Sequence, residues 1–323
     1  MLGWVFLLLA AALFVFSQEW ARRLERRFPP RGRFVDLTGG RLHLNDVGPD
    51  GAPRATIVLL HGASGNEADM TLPLAAPLAA RGFRVVAVDR PGHGWSDRIA
   101  PDADDPARQA RLIRSALEHM GVTNAIVLGH SWSGALAQNF ALDHADFTQG
   151  LVLLAPVTHP WPGGIAWYYT PTALPVVGWL FANLFAVPAG LAVFRSALAG
   201  VFTPQPIPPD YAEKTGVALV LRPKAFRANA RDVAGLRAFV TRQAPRLSDI
   251  EAPTAIVSGD RDKIVLTALH SIESARAIPK ARLTTVPGLG HSPHHCATEA
   301  VVAAICDVAA RIEAQPRSES APR

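Results

Sequence analysis

The 323-residue sequence is poor in cysteine and in charge: it has two cysteines, Cys296 and Cys306, and 18% charged residues. Both cysteines fall in a helix-like C-terminal stretch. If that helix is continuous they lie about 15 Å apart along its axis, too far for a disulfide. Cysteine usage therefore leaves the redox compartment open. The formal charge is +5 and the pI near 9.7, but the basic residues are scattered except for one cluster near the N-terminus. That scatter argues against a nucleic-acid partner. With 49% hydrophobic residues the chain has material for a large core and is not globally disordered.

Two stretches lack charge altogether. The first is "MLGWVFLLLAAALFVFSQ", followed at once by "EWARRLERRFPPRGR". About 18 residues is the lower edge of a membrane-spanning helix. A signal peptide is the rival, but there is no basic leading region and no clean small-x-small cleavage site before Glu19. Arg22, Arg23, Arg26 and Arg27 flank the run on its C-terminal side, which places the folded part in the cytoplasm by the positive-inside rule. An uncleaved anchor over 1–20 and a basic linker over 21–32 are expected, with export as the alternative. The second stretch, 147–194, contains "LPVVGWLFANLFAVPAGLAVF", long enough to raise a second span. Pro175, Pro188 and Gly190 interrupt it. Its place inside an α/β pattern favours apolar cap helices over a pocket.

Between these stretches strands and helices alternate. "RFVDL" and "RLHLNDV" around "TGG" read as a hairpin. "ATIVLL", "FRVVAVD", "AIVLG" and "GLVLLAP" are short apolar runs of the kind found in buried parallel strands. Helical segments separate them: "LPLAAPLAARG", "DPARQARLIRSALEHMG" and "WSGALAQNFALDHA". The alternation stops near 158 and resumes at "PTAIVSG", with a helix near 267–277, the strand "ARLTTVP" and a final helix over about 297–313. The expected fold is a mostly parallel sheet with helices on both faces. Its core spans 33–157 and 246–313, with a cap inserted over 158–245 and a disordered tail over 314–323.

The segment "VLGHSWSGALA" holds two serines, Ser131 and Ser133. A strand, a sharp turn and a helix form the context of a nucleophile elbow, in which small residues are needed two before and two after the nucleophile. Gly129 and Ser133 meet that need around Ser131. Ser133, already in the first helical turn, then reads as a packing residue. A serine nucleophile needs a base oriented by an acid. His291, in "VPGLGHSPHH" after the last strand, is placed to be the base. His294 and His295 read as loop-bracing or surface residues. With Cys296 they lack the spacing and further ligands of a mononuclear metal site. In "VSGDRDKIV", Asp260 lies in the tight turn where aspartate commonly caps amides. Asp262 stands further out as the acid. The loop "APVTHPWPGG" one strand earlier offers no acid. Oxyanion donors are expected from the backbone N–H groups of Trp132 and of Ala63, in "LHGASG", where Gly65 keeps the loop free of bulk.

"LLHGASG", "VAVDRPGHGWSD", "LGHSWSGALA", "SGDRDKIV" and "GLGHSPHH" together resemble the α/β-hydrolase fold with a cap, over about 57–310. This is the broad group of esterases, C–C hydrolases, epoxide hydrolases, dehalogenases and cofactor-free haloperoxidases. The resemblance implies that the second aspartate of the G-x-x-D segment, Asp262, is the triad acid. It also implies a shell near the pocket rim around "RPGHGWS", in which His93 has no catalytic role. Ser133 in place of the usual glycine, and Leu266 where a proline often follows the acid, are departures from the pattern.

The expected function is hydrolysis of an ester, thioester or lactone of an apolar substrate through an acyl-enzyme, with no cofactor and no metal. Epoxide hydrolases and dehalogenases place aspartate at the elbow, where this chain has Ser131. A haloperoxidase-like or acyltransferase activity of the same residues, and a catalytically silent scaffold, are the alternatives. The arginine-flanked anchor and the Trp- and Tyr-bearing apolar cap further suggest a pocket that opens toward the membrane.

Overall fold

The computed structural model describes residues 2–49 and 51–314, so the expected tail, apart from Ala314, lies outside the described residues. The chain begins with helix α1 (Leu2–Arg27), then the hairpin β1 (Arg33–Leu37) and β2 (Gly40–Val47). Strands and helices alternate from there: β3 (Thr56–Leu60), α2 (Glu67–Ala79), β4 (Arg84–Val88), α3 (Pro106–His119), β5 (Ala125–His130), α4 (Ser133–Asp143) and β6 (Thr148–Leu154). A helical cap follows, with α5 (Tyr169–Ala173), α6 (Pro175–Leu184), α7 (Ala186–Phe202), α8 (Tyr211–Thr215) and α9 (Pro223–Gln243). The core resumes with β7 (Thr254–Gly259), α10 (Ser271–Ala277), β8 (Ala281–Val286), α11 (Pro293–Cys296) and α12 (Thr298–Glu313).

The eight strands form one sheet in the order β1-β2-β4-β3-β5-β6-β7-β8. β2 runs antiparallel to both neighbours, and every other pair is parallel. Helices cover both faces, which is why the central strands read as unbroken apolar runs. Successive side chains still alternate between faces. Ile57, Leu59, Ile126 and Leu128 pack with Leu74 and Leu78 of α2 and Val301 and Ile305 of α12. Val58, Leu60 and Val127 pack on the opposite face with Ile113 and Leu117 of α3 and Leu136 and Phe140 of α4. Because β3 and β5–β8 are parallel, the loops leaving them meet at one edge of the sheet, where α/β folds place their ligands.

Several boundaries differ from those expected. α2 begins at Glu67, five residues before the expected "LPLAAP" start, because Asn66 caps it by accepting from the Asp69 amide at 3.2 Å. α10 begins at Ser271, since Thr267 spends its hydroxyl on the Gly259 carbonyl. The C-terminal stretch breaks at Ala297 between α11 and α12, so the two free cysteines do not share one helix. The expected basic linker, 21–32, is helical as far as Arg27 and ends at Pro29–Pro30.

The apolar cap run bends by 67° between α6 and α7. The bend falls at Phe185, while Pro188 sits in the first turn of α7, where a missing N–H costs nothing. α1 is apolar and long enough to cross a membrane. Its second half lies against the cap: Phe14 packs on Trp179 and Gln18 Nε2 donates to Asn183 Oδ1 at 2.8 Å. Leu24 is buried with Leu219 and Leu221.

Candidate active site

β5 delivers the chain to Ser131, whose φ of +54° is a left-handed conformation that a serine seldom adopts. The turn is over-determined by its hydrogen bonds. The Ser131 amide donates to the Leu154 carbonyl at the end of β6, and the Ser131 carbonyl accepts from the amides of Gly134 and Val157. Glycine is required at 129, because a Cβ there would come within 2.1 Å of the Ser133 carbonyl oxygen. The side chain of Ser131 is thereby turned out of the sheet edge, toward the loop after β8.

Ser131 Oγ lies 2.9 Å from His291 Nε2, and His291 Nδ1 lies 2.7 Å from Asp262 Oδ2. A carboxylate only accepts, so Nδ1 carries the proton and Nε2 accepts from the serine. The other Asp262 oxygen accepts from the Ile264 and Val265 amides at 2.8 and 2.9 Å, which fixes the carboxylate plane. All three residues are buried. Asp260 is exposed and accepts from the Gly288 amide, bracing the loop that carries His291 without touching it. The arrangement lets a hydroxyl pass its proton to an imidazole whose opposite edge is held by a fixed anion.

The loop after β3 lies against this turn. A Cβ on Gly62 would sit 3.1 Å from Ser131 Cβ and 3.0 Å from His130 Nδ1, so a side chain there would crowd the turn. Among the described residues, the amides of Ala63 and Trp132 donate to no protein acceptor. Ser133, expected as a packing residue, does more. It is fully buried and its Oγ donates to the His61 carbonyl at 2.5 Å, tying α4 to this loop.

A buried polar shell underlies the loop, and little of it was foreseen. Arg90 donates to the carbonyls of His61 and Gly62, pairs with Asp232 of α9 at 2.7 Å and stacks over Trp132 at 4.0 Å. The Trp132 indole donates to the Asp232 carbonyl. One turn earlier on α9, Asn229 accepts from the Ser64 amide at 2.7 Å and donates to Ser64 Oγ at 3.1 Å. Ser64 is itself left-handed, with φ +61°. His61 accepts from the Arg90 amide and donates to the Gly62 carbonyl, so it is neutral. Burial, then the Arg90 charge, push its pKa down to about 3. His93 is buried beside Arg90 and its pKa is held well below the usual range by burial and then by that charge. The resemblance implies the part of this shell around "RPGHGWS"; its partners on α9 are marked in the sequence only by the three-residue spacing of Asn229 and Asp232 on one helix face.

His294 and His295 are bracing residues, not surface ones. Both approach Asp69 of α2, at 3.3 and 2.9 Å, and Tyr211 of α8 donates to the same carboxylate at 2.8 Å. Burial raises the Asp69 pKa, but the two histidines outweigh it and hold the carboxyl well below the ordinary range. The ligand atoms of Asp69, His294 and His295 lie within 4.8 Å of one another, and Cys296 is not among them. The two contacts to Asp69 have hydrogen-bond lengths, which an incoming ion would have to break. His130, beneath His291, donates from Nε2 to the His291 carbonyl at 2.9 Å. His270 accepts from the Thr158 and His159 amides, and burial, then His159, lower its pKa to about 4.

A parallel sheet with a serine at a left-handed turn after a central strand, and a helical cap between β6 and β7, defines an α/β hydrolase. The profile of the alpha/beta hydrolase family matches residues 57–304, and the chain belongs to that family. It is an enzyme, a hydrolase. The 2-hydroxy-6-oxo-6-phenylhexa-2,4-dienoate hydrolase of Burkholderia cepacia is 28% identical over 262 residues, covering 79% of this chain and 86% of the relative. A 2-hydroxy-6-oxononadienedioate/2-hydroxy-6-oxononatrienedioate hydrolase of Comamonas testosteroni is 26% identical over 259 residues, with 79% and 86% covered. Among solved structures, the enol-lactonase from Burkholderia xenovorans LB400 is similar with a TM-score of 0.65 at 23% identity, over 85% of this chain and 99% of that one.

Proposed function

We propose that this hydrolase cleaves a carboxylic ester-type bond of an apolar substrate through an acyl-enzyme formed on Ser131. The observation that carries the reading is the continuous relay from Ser131 Oγ through His291 to Asp262, with Oγ raised on a left-handed turn. Ser131 attacks the substrate carbonyl while His291 Nε2 takes its proton. Asp262 holds the imidazole in the Nδ1–H form and favours the imidazolium. The amides of Ala63 and Trp132 receive the oxyanion. His291 returns the proton to the leaving alkoxide, then activates the water that releases the acid.

A second reading is favoured by the dienoate hydrolases among the relatives. A 6-oxo-dienoate carries no ester, so its hydrolysis breaks a carbon–carbon bond beside a ketone. Such a substrate also bears a carboxylate. This chain has no charged side chain from 147 to 194 to receive one on the first half of the cap, which supports the neutral ester.

Fluorophosphonate labelling of the wild type and of Ser131→Ala, together with hydrolysis of p-nitrophenyl esters of graded length, tests the proposal. Labelling confined to proteins that retain Ser131, with ester turnover, is the expected result. Turnover of an oxo-dienoate with no activity on any ester would move the assignment to the second reading. Labelling that survives Ser131→Ala would remove the serine from its role.

A further inference from the structure

We infer that α1 and the cap form one bilayer-embedded surface, so that the cap itself sits in the lipid and α1 is not a detached tether. The partner is a membrane with anionic headgroups. The inference concerns where the enzyme sits and is independent of which bond it cleaves.

The exposed apolar residues are concentrated on two elements. On α1, Trp4, Phe6 and Leu8 are 74, 69 and 70% exposed. On α6, Val176, Val177 and Leu180 are 72, 48 and 45% exposed, and the flanking Trp167 is 75% exposed. The two groups are joined where Phe14 meets Trp179 and Gln18 bonds Asn183. An apolar face of this extent on a folded domain marks an interaction surface.

The contact between α1 and α6 decides between a tether and a shared surface. The charge-free run of α1 continues to Gln18, and residues 14–18 of that run lie beside α6. Lipid that covers these residues therefore meets α6 at the same depth. The charge pattern fits this placement. No charged side chain occurs from 147 to 194, and the first charges on α1 are Glu19 and the exposed Arg22 and Arg23. Basic groups at that level meet anionic headgroups, and tryptophans such as Trp167 and Trp179 favour the same zone.

The test uses full-length protein in vesicles of phosphatidylcholine and phosphatidylglycerol. Cys296 and Cys306 are replaced by serine, and a fluorophore is attached at Leu8→Cys, Val177→Cys, Leu180→Cys or Glu251→Cys in turn. Each of these sites is exposed, so labelling does not disturb packing. Nitroxide lipids should quench the labels at 8, 177 and 180 to a similar extent, with loss of quenching by aqueous iodide. The label at 251 should behave in the opposite way. Iodide access at 177 and 180, with lipid quenching at 8, would show α1 to be a tether alone and overturn the inference. Iodide access at all four sites would remove the membrane altogether. Ester turnover measured on the same samples reports separately on the catalytic reading.

Discussion

Asn229, on the long cap helix α9, closes a two-point hydrogen bond on Ser64, the residue that follows the proposed oxyanion donor Ala63. The cap therefore holds the backbone that is to stabilise the transition state. Asn229→Ala is expected to lower kcat by roughly 10²-fold, the scale of losing an oxyanion donor, with KM for a small ester nearly unchanged. Asn229→Asp keeps an acceptor for the Ser64 amide and should recover much of the rate. Equal kcat in Asn229→Ala and wild type would show that the loop holds its shape without the cap.

The relay makes an ordered prediction for the two aspartates. His291→Ala and Asp262→Asn are each expected to reduce kcat by roughly 10⁴-fold or more. Asp260→Asn should cost only a few-fold, because Asp260 contacts the Gly288 amide and not the imidazole. Steady-state kinetics on one soluble ester decides it, and reversal of the order would reassign the acid.

Ser133→Gly restores the small residue usual at this position but deletes the bond to the His61 carbonyl. That carbonyl keeps the Arg90 guanidinium as a donor, so the loss should be about 1 kcal/mol. A fall of a few degrees in Tm with kcat near wild type is expected. A kcat loss matching that of Ser131→Ala would make Ser133 part of the chemistry.

Asp232→Ala leaves Arg90 buried without its partner. Breaking a buried ion pair from one side costs about 3–5 kcal/mol, readable as a lower urea midpoint. An unchanged midpoint would mean that Gln109, which also accepts from Arg90, or water relieves the charge.

Stability should fall on acidification because buried histidines are kept neutral. Histidine in the unfolded chain titrates near 6.5, whereas His61 titrates at about 3 and His270 at about 4. Between those values the unfolded chain binds more protons, so stability rises with pH. It is full above about pH 6.5 and is lost as the pH falls toward 4 and then 3. Each such group adds at most about 1.4 kcal/mol per pH unit. His270→Asn preserves an acceptor for the Thr158 and His159 amides while removing one proton site. Urea midpoints measured across this range should show a shallower slope in the variant, and an identical slope would clear His270 of the effect.

The alternating strands and the residues of the relay were legible because each rests on local patterns. Apolar runs mark the strands, and Gly129 and Ser131 mark the turn. Asp262 and His291 follow strands whose order was readable. The shell around "RPGHGWS" was implied by the resemblance, but the α9 partner of Arg90 was not legible, because Asp232 is 142 positions away and nothing local marks it. The pairing of Asp69 with His294 and His295 was hidden in the same way. The bend at Phe185 was misplaced because prolines in the first turn of a helix do not break it. The linker was misplaced because a basic composition after an apolar run says nothing about where a helix ends.

The attachment of α9 has a kinetic consequence. It carries Asn229 and Asp232, and its neighbour α6 is buttressed by α1. A cap that swung away as a rigid door would take the Ser64 clamp and the Arg90 counter-ion with it. On the proposed mechanism an open cap would leave the enzyme idle, so substrate is expected to enter beneath a cap that stays seated over Ser64 and Arg90.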